Sequence, residues 1–228
     1  MAKVFIGVGH GGNDPGAVSG NLREKDLNLV TALEVYNVLH RHNVTVQMSR
    51  TNDENEKLND KIAECNKFNP DVALDIHYNA GGGDGAECYH HYKGGKGKTL
   101  AENVLAEMVK IGQNSRGAKI KKNIWGKDFY AFIRDTVCPA IIVECAFLDN
   151  KTDMQIADSE KEQRAIGVAI AKAILKSLNI LYIEEKKEET SGKLYRVQVG
   201  AYSVKKNAED MKKKLKDAGF EAIIVEGE

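Results

Sequence analysis

KVFIGVG (residues 3–9), DLNLVTALEVYNVLH (residues 26–40) and VTVQMS (residues 44–49) follow one another near the start of the 228-residue chain. The first and third segments are short and rich in Val and Ile, which is typical of buried strands. The middle segment has helical spacing and places five side chains on one face: Leu29, Ala32, Leu33, Tyr36 and Leu39. Strand, helix and strand in this order predict a parallel unit with the helix packed on the sheet.

The same alternation continues along the chain. Three further strands are predicted: Val72–His77, Ala86–Tyr89 and Ala140–Glu144. The segment Glu162–Leu178 is predicted to close the domain as a helix, because its isoleucines recur four residues apart, as Ile166, Ile170 and Ile174. We therefore expect an α/β fold with a mainly parallel, twisted sheet flanked by helices.

A change of composition marks a domain boundary near residue 182. Glu184–Gly192 contains no apolar residue and is predicted to be an exposed linker. Beyond it, Leu194–Gly200 and Glu221–Val225 are predicted strands on either side of a charged helix, Val204–Ala218. The predicted organisation is a domain over residues 1–181, a linker over 182–192 and a small β-α-β fragment over 193–228. A fragment of this size is below the roughly 40 residues at which a chain usually folds alone.

Composition excludes several classes of protein. Lys plus Arg equals Asp plus Glu at 33 each, so no basic field predicts nucleic acid as a partner. No run of about 18 apolar residues predicts a membrane span. The start of the chain, Met1–Gly7, lacks the pattern of a secretory signal peptide, so we expect synthesis in the cytoplasm. The cysteines show no CxxC pairing and are interpreted as reduced, mostly buried thiols: Cys65, Cys88, Cys138 and Cys145.

Three candidate metal ligands stand at the ends of predicted elements. His10 ends the first strand, Glu24 precedes the first helix and His77 ends another strand. Two imidazoles and one carboxylate leave a fourth position for water, which is the arrangement of a catalytic zinc site. The carboxyl ends of parallel strands meet at one edge of a sheet, where His10, His77 and Glu144 would be delivered together. The spacing alone leaves open that each histidine is structural.

Other histidines and aromatic residues are interpreted as structural or surface groups. His90 and His91 are neighbours on a strand and point to opposite faces, so they cannot both bind one ion. His40 and His42 close a helix, where imidazoles commonly cap the last carbonyls. Three aromatic residues remain open between a glycan groove and ordinary packing: Trp125, Phe129 and Tyr130.

A rival interpretation comes from Gly7–Gly12, which fits the GxGxxG fingerprint of dinucleotide-binding enzymes after a first strand. Arg50 could then contact a cofactor phosphate in an oxidoreductase. However, the fingerprint requires a helix to open at the third glycine. Residues 13–16 (NDPG) instead continue as a turn, and helical spacing begins only near Asp26. This interpretation is disfavoured.

Four ordered segments identify a family. GHGGNDPGA (residues 9–17), Glu24, IHYNA (residues 76–80) and VECAFLDN (residues 143–150) resemble the zinc-dependent N-acetylmuramoyl-L-alanine amidases of the amidase 3 type. The resemblance covers about residues 3–180. Shorter stretches that also resemble this family are Ser49–Thr51, Phe132–Arg134 and Pro139–Ala140.

The resemblance implies a mechanism and a substrate. His10, Glu24 and His77 would bind Zn²⁺, and Glu144 would be the catalytic glutamate. The substrate would be peptidoglycan, cut between N-acetylmuramic acid and L-alanine by an endolysin or autolysin that reaches the wall after lysis or through a holin. A catalytically inactive wall-binding protein is the alternative.

The chain departs from this family's usual pattern at three positions. Lys61 stands where Arg is usual, Cys65 where Ala is usual, and Asp75 where Ser commonly precedes the Ile-His pair. None is a proposed ligand, so we expect these departures to affect substrate preference rather than chemistry.

The end of the chain resembles a second module. Leu194–Tyr202 is similar to the opening of a SPOR domain, which is associated with binding glycan strands stripped of peptides. Only the first half of that domain is present. Two copies could complete one unit, so we expect a homodimer that buries four side chains between the copies: Val197, Val199, Ile223 and Val225.

Overall fold

A computed structural model describes residues 1–185 and 197–226 of the chain. The chain divides into two compact units, Met1–Glu184 and Glu185–Glu228. The predicted bounds 1–181, 182–192 and 193–228 remain predictions, since most of the proposed linker lies outside the described residues.

A six-stranded sheet forms the centre of the first unit, and its strands run in the order β4-β1-β5-β8-β6-β7. The strands are β1 (Lys3–Val8), β2 (Val18–Ser19), β3 (Leu22–Arg23), β4 (Thr45–Met48), β5 (Val72–Asn79), β6 (Ala86–His90), β7 (Ser115–Lys119) and β8 (Ala140–Phe147). Neighbours from β4 to β8 pair in parallel, whereas β6 pairs with β8 antiparallel. The remaining two strands, β2 and β3, form a separate hairpin. The expectation of a mainly parallel sheet is confirmed, with β6 and β7 reversed at one edge.

Helices cover both faces of this sheet. They are α1 (Glu24–Arg41), α2 (Leu58–Phe68), α3 (Lys96–Lys110), α4 (Ala131–Asp135), α5 (Lys151–Met154) and α6 (Glu160–Ser177). Side chains alternate between faces along each strand. Val4, Ile6 and Val8 join the larger core with α1, α3 and α6, whereas Phe5 joins a smaller core with α2 and α4. The three isoleucines predicted to bury one face of α6 are fully buried.

Helix α1 packs on the sheet through a face that overlaps the predicted one, with Ala32 and Leu39 fully buried. Leu29, Leu33 and Tyr36 are only half-buried. Two polar residues also occupy buried positions, and each makes a hydrogen bond: the Asn28 amide N donates to Gly9 O (3.0 Å), and the Thr31 hydroxyl pairs with Tyr78 Oη (2.9 Å). The packing of α1 on the sheet is confirmed, but the centre of its buried face is shifted, because apolar spacing does not reveal polar side chains that hydrogen-bond inside the core.

In the second unit, the predicted charged helix is present as α7 (Lys205–Asp217). The predicted strands beside it are not formed in the described part of the chain: residues 197–200 and 221–225 have no strand pairing, and Leu194–Arg196 lie outside that part. Isolated two-stranded pairings are marginally stable in water. Within the described residues, the expectation of a β-α-β fragment is therefore corrected to a helix flanked by segments without strand pairing.

Three of the four cysteine thiols are buried, Cys138 is half-buried, and all four are free. This agrees with their interpretation as reduced thiols. Among the helices of the described residues, none has the length and apolar content needed to cross a bilayer.

Candidate metal centre and catalytic site

The three predicted ligands converge at the carboxyl edge of the sheet. His10 follows β1, His77 lies near the end of β5, and Glu24 is the first residue of α1. Each offers one ligand atom, and these atoms lie within 4.8 Å of one another. Residues separated by 14 to 67 positions in the sequence thus share one site, as expected for strand ends in such sheets.

The carboxylate of Glu24 bridges the two imidazoles. Its Oε1 lies 2.9 Å from His77 Nδ1, and its Oε2 lies 3.1 Å from His10 Nε2. The two rings meet edge to face, with centroids 5.1 Å apart. Backbone N–H groups of Ala17 (2.9 Å) and Tyr78 (3.2 Å) donate to the same carboxylate and fix its orientation.

The outer nitrogen of each imidazole faces a second carboxylate. His10 Nδ1 lies 2.8 Å from Asp14 Oδ2, and His77 Nε2 lies 3.5 Å from Asp75 Oδ2. Histidines that bind metal usually donate the other ring N–H to a carboxylate or carbonyl, which fixes the tautomer. These residues therefore fit a metal ion: two oriented imidazoles and one oriented carboxylate offer ligand atoms within 4.8 Å of one another.

Two glycines make room for the ligands. A Cβ at Gly9 would lie 2.3 Å from His77 Cε1, so only glycine lets the ring approach β1. Gly16 has a φ of +66°, and a Cβ there would lie 2.6 Å from both Glu24 Oε2 and His10 Cδ2. Glycine is the residue that tolerates such conformations and close approaches.

The same contacts oppose a dinucleotide site. Gly9 belongs to the GxGxxG match but accommodates His77, and α1 begins at Glu24 rather than at the third glycine. Arg50 is buried, and its guanidinium donates to the carbonyls of Gly9 (3.0 Å), Lys25 (2.8 Å) and Asn52 (3.0 Å). The group that could have met a cofactor phosphate instead holds the backbone around the candidate metal centre.

Proton affinities within the cluster are strongly altered. Burial would lower the pKa of His77, but the carboxylates of Asp75 and Glu24 outweigh it and raise the pKa to about 10. Burial would raise the pKa of Glu24, yet hydrogen bonds from both imidazoles hold that pKa well below its usual range. Without a metal, the site is held together by an ionised carboxylate and a protonated imidazole.

Glu144 lies on β8 beside the cluster. Its Cα pairs with that of His77 across the parallel β5–β8 ladder, so both side chains lie on the same face of the sheet. Burial raises the pKa of Glu144 to about 7, although the charge of His77 opposes this shift. A carboxyl group with such a pKa can take up and release a proton at neutral pH.

Sequence reasoning missed a second buried carboxylate on this face. Glu87 lies on β6 directly opposite Glu144. Its carboxylate accepts from Arg116 Nε (2.8 Å), from Tyr89 Oη (2.8 Å) and from Lys119 Nζ. The position of Glu87 in the site depends on the pairing of β6 with β8 and β7, and no local sequence motif predicts that pairing.

Aromatic residues continue from Glu87 toward the surface. The ring of Tyr130 packs on that of Tyr89 (4.8 Å between centroids), and Phe129 packs on Tyr130 (5.2 Å). Trp125 is 77% exposed. Phe129 and Tyr130 therefore make ring contacts, with half of Phe129 exposed, whereas Trp125 stays open to solvent.

The remaining histidines have local partners. His40 stacks on Tyr36, and His42 Nδ1 lies 2.7 Å from Val38 O at the end of α1. His91 Nε2 lies 3.1 Å from Asp128, and His90 Nδ1 lies 2.9 Å from His91 O. The structure thus gives all four the kind of contact that was expected of structural or surface groups.

Two family models match the chain. Residues 4–176 match the model described as N-acetylmuramoyl-L-alanine amidase, and residues 168–226 match the SPOR domain. The second match begins inside α6, ahead of the predicted module start at 193.

Individual relatives agree with the first model. The N-acetylmuramoyl-L-alanine amidase CwlM of Bacillus licheniformis is 31% identical over 229 residues, which span 99% of this chain and 85% of that protein. Cwp6 from Clostridium difficile is similar in structure, with 35% identity and a TM-score of 0.76 over 78% of this chain and 29% of that one. An N-acetylmuramoyl-L-alanine amidase from Clostridium difficile 630 gives 33% identity and a TM-score of 0.71, over 78% of this chain and 97% of that one.

Proposed function

The chain belongs to the N-acetylmuramoyl-L-alanine amidase family and acts on peptidoglycan, and from this premise we propose that it is a zinc enzyme with Glu144 as its acid–base group. The bond cut joins the lactyl group of N-acetylmuramic acid to L-alanine. The observation that carries the zinc proposal is the cluster of His10, Glu24 and His77, in which each outer imidazole nitrogen faces a carboxylate.

The donor set favours Zn²⁺ over harder cations. Imidazole nitrogens suit Zn²⁺, whereas Mg²⁺ and Ca²⁺ prefer oxygen ligands. Three protein ligands, rather than four, are typical of catalytic zinc. When bound, Zn²⁺ polarises the scissile carbonyl and makes water more acidic, which is the chemistry that hydrolysis at neutral pH needs.

Glu144 moves the protons. Its carboxylate takes a proton from the attacking water as the oxygen adds to the carbonyl carbon of the lactyl group. The same group then gives that proton to the nitrogen of L-alanine as the C–N bond breaks. The products are a free lactyl carboxylate and a peptide with a new amino terminus. A pKa raised to about 7 by burial suits both steps.

The second unit is proposed to hold the enzyme on the wall or to join two copies of it. The SPOR match over residues 168–226 supports a contact with peptidoglycan glycan strands. Exposed apolar side chains on both sides of α7 support the alternative of a homodimer, because they would be buried by a second copy: Val197, Val199, Ile223 and Val225.

Digestion of defined muropeptides followed by mass analysis tests the reaction. New amino-terminal alanine is expected, whereas new reducing sugar ends would indicate a glycosidase. Wall binding without hydrolysis would favour the inactive wall-binding alternative.

Metal dependence is tested in the same assay. Chelator-treated protein should lose activity and regain it with Zn²⁺. His77→Ala should lose both metal and activity because two ligands remain, whereas His42→Ala, at the end of α1, should keep both. Full activity after complete removal of metal would contradict the zinc proposal.

A further inference from the structure

Two of the three positions at which the chain departs from the usual amidase pattern contact each other. Lys61 lies on α2 and Asp75 on β5, and Lys61 Nζ lies 3.0 Å from Asp75 Oδ1. Both side chains are almost fully buried, with 5% of Lys61 and 3% of Asp75 exposed. A charge removed from water is costly unless it is paired, so each of these two side chains stabilises the buried charge of the other.

Lys61 has further partners besides Asp75. Its ammonium lies 3.1 Å from Val8 O and 3.3 Å from Glu56 Oε2. The lysine is therefore directed by three acceptors from three segments of the chain, and it would keep two of them if Asp75 lost its charge. Asp75 can therefore be replaced while the buried ammonium of Lys61 keeps two acceptors.

Asp75 is tightly confined beside β1. Gly7 pairs with Asp75 across the β1–β5 ladder, and a Cβ at Gly7 would lie 2.5 Å from Asp75 Oδ1. The absence of a side chain at Gly7 therefore makes room for this carboxylate, as Gly9 makes room for His77. Because Lys61 binds Asp75 Oδ1, only the second carboxylate oxygen, Oδ2, remains to contact another group.

The second oxygen of Asp75 faces the candidate metal ligand His77. Asp75 and His77 are two residues apart on β5 and share one face of the strand. Asp75 Oδ2 lies 3.5 Å from His77 Nε2, while the opposite ring nitrogen, Nδ1, faces Glu24 at 2.9 Å. Asp75 thus lies on the side of the ring away from the point where the three ligands converge.

We propose that Asp75 is a positioning residue for His77 and that Lys61 is the counter-ion of Asp75, an inference that rests on the proposed binding of Zn²⁺ by His77. Asp75 keeps the ring proton on Nε2 and so leaves the lone pair of Nδ1 free for the metal. Lys61 balances the buried negative charge. The two departures act as one unit on the metal centre, rather than on substrate preference as the sequence suggested.

The variant that tests this is Asp75→Asn, which preserves shape. Lys61 can only donate, so the amide oxygen would stay with Lys61 and the amide NH₂ would turn toward His77 Nε2. Nε2 would then have to accept, which moves the ring proton to Nδ1. We expect the dissociation constant for Zn²⁺ to rise about 10- to 100-fold, as is typical when an outer partner of a metal ligand is lost.

Glu56→Gln is the matched control. It also removes one carboxylate partner of Lys61, at a half-buried position. It leaves the groups around His77 unchanged, since Glu56 Oε2 contacts Lys61 and Ser49. Its dissociation constant for Zn²⁺ should stay within about twofold of the wild-type value. Chelator competition gives both constants, and melting of the metal-free proteins shows whether each variant folds.

Nitrogen NMR of histidine-labelled, zinc-loaded protein provides the second readout. In the wild type, His77 should carry its proton on Nε2, and Asp75→Asn should alter this signal while Glu56→Gln leaves it unchanged. A purely structural role for Asp75 would not move a tautomer signal. If Asp75→Asn fails to fold, Asp75→Ala serves instead, because it removes the acceptor while Lys61 keeps Glu56 and Val8 O; the same loss of zinc affinity is expected.

Two results would overturn the proposal: unchanged zinc affinity in the Asp75 variant, or equal losses in the Asp75 and Glu56 variants. A wild-type protein that takes up no Zn²⁺ would instead overturn the zinc proposal itself, together with this inference. Stoichiometry measured on the wild type separates these cases.

Discussion

At the scale of single residues, the proposed role of His77 as a ligand predicts that metal binding depends on pH. The pKa of His77 is raised to about 10, so below that pH the metal-free ring holds a proton on both nitrogens. A metal ion needs the lone pair of one of them. Zinc uptake near pH 7 should therefore release about one proton from this ring, and zinc affinity should fall as the pH is lowered.

Calorimetry of Zn²⁺ binding in two buffers of different ionisation enthalpy measures this release. His42→Ala, which keeps all three candidate ligands, serves as the control and should release as many protons as the wild type. Zinc binding with no transfer of protons to the buffer would contradict the raised pKa of His77.

Glu144 leads to a second residue-scale prediction. Glu144→Gln should keep its zinc but lose about 10²-fold or more in turnover, because general acid–base groups typically contribute 10²- to 10⁴-fold. Glu87→Gln is the comparison on the same face, with an expected loss below about tenfold, since Glu87 is held by Arg116 and Lys119. Muropeptide turnover and elemental analysis are the measurements. Near wild-type turnover in Glu144→Gln would assign the proton transfer to another group.

The ligand candidates could be predicted from the sequence, but their surroundings could not. His10, Glu24 and His77 stand in segments that resemble a known family, and each ends or begins an element. The partner of Asp75 comes from α2 and that of Glu87 from β7, so both depend on which elements become neighbours. No local pattern around Asp75 indicates that Lys61 lies beside it.

At the scale of elements, α6 offers a direct test of a helix start. Ser159 and Glu162 form a capping box, in which the Ser159 side chain accepts from Glu162 N and the Glu162 side chain accepts from Ser159 N. Ser159→Ala should cost about 1 kcal/mol of unfolding free energy. For a protein of this size the melting temperature should fall by about 2–4 °C.

Ser159→Asp is the control for the cap, because Asp also accepts from the first turn and should keep most of the stability. Denaturant unfolding of the three proteins measures the differences. An alanine variant as stable as the wild type would mean that packing of the buried isoleucines alone positions α6.

The elements themselves were unequally predictable. All five predicted strands of the sheet are present, because buried parallel strands appear as short apolar runs. Helix α2 has apolar residues at Leu58, Ile62 and Cys65, a helical spacing that could have predicted it. By contrast, the alternation in residues 221–225 indicated a strand that has no pairing there, because a strand also needs a neighbour.

At the scale of the whole molecule, we expect the second unit to determine whether the enzyme acts alone or as a dimer. Apolar side chains beside α7 are open to solvent, with 90% of Val197 and 84% of Ile223 exposed. Burial of such surface by a second copy would stabilise a dimer. Sedimentation should therefore show a homodimer for the full chain and a monomer for a chain ending at Leu181.

The same oligomeric state for the two chains, whether monomeric or dimeric, would contradict a role of the second unit in assembly. Binding of both chains to glycan strands stripped of peptides should be measured in parallel. A full chain that binds such strands as a monomer would favour the wall-holding alternative.

The position of the three candidate ligands has a consequence for the working lifetime of the enzyme. His10 and Glu24 stand at the two ends of one surface segment, residues 11–23, and His77 belongs to the sheet beneath it. A single ion bound by all three would fasten both ends of that segment to the sheet. In the presence of proteases, the metal-bound protein would resist cleavage in this segment, and loss of the ion would end that protection together with the proposed catalysis.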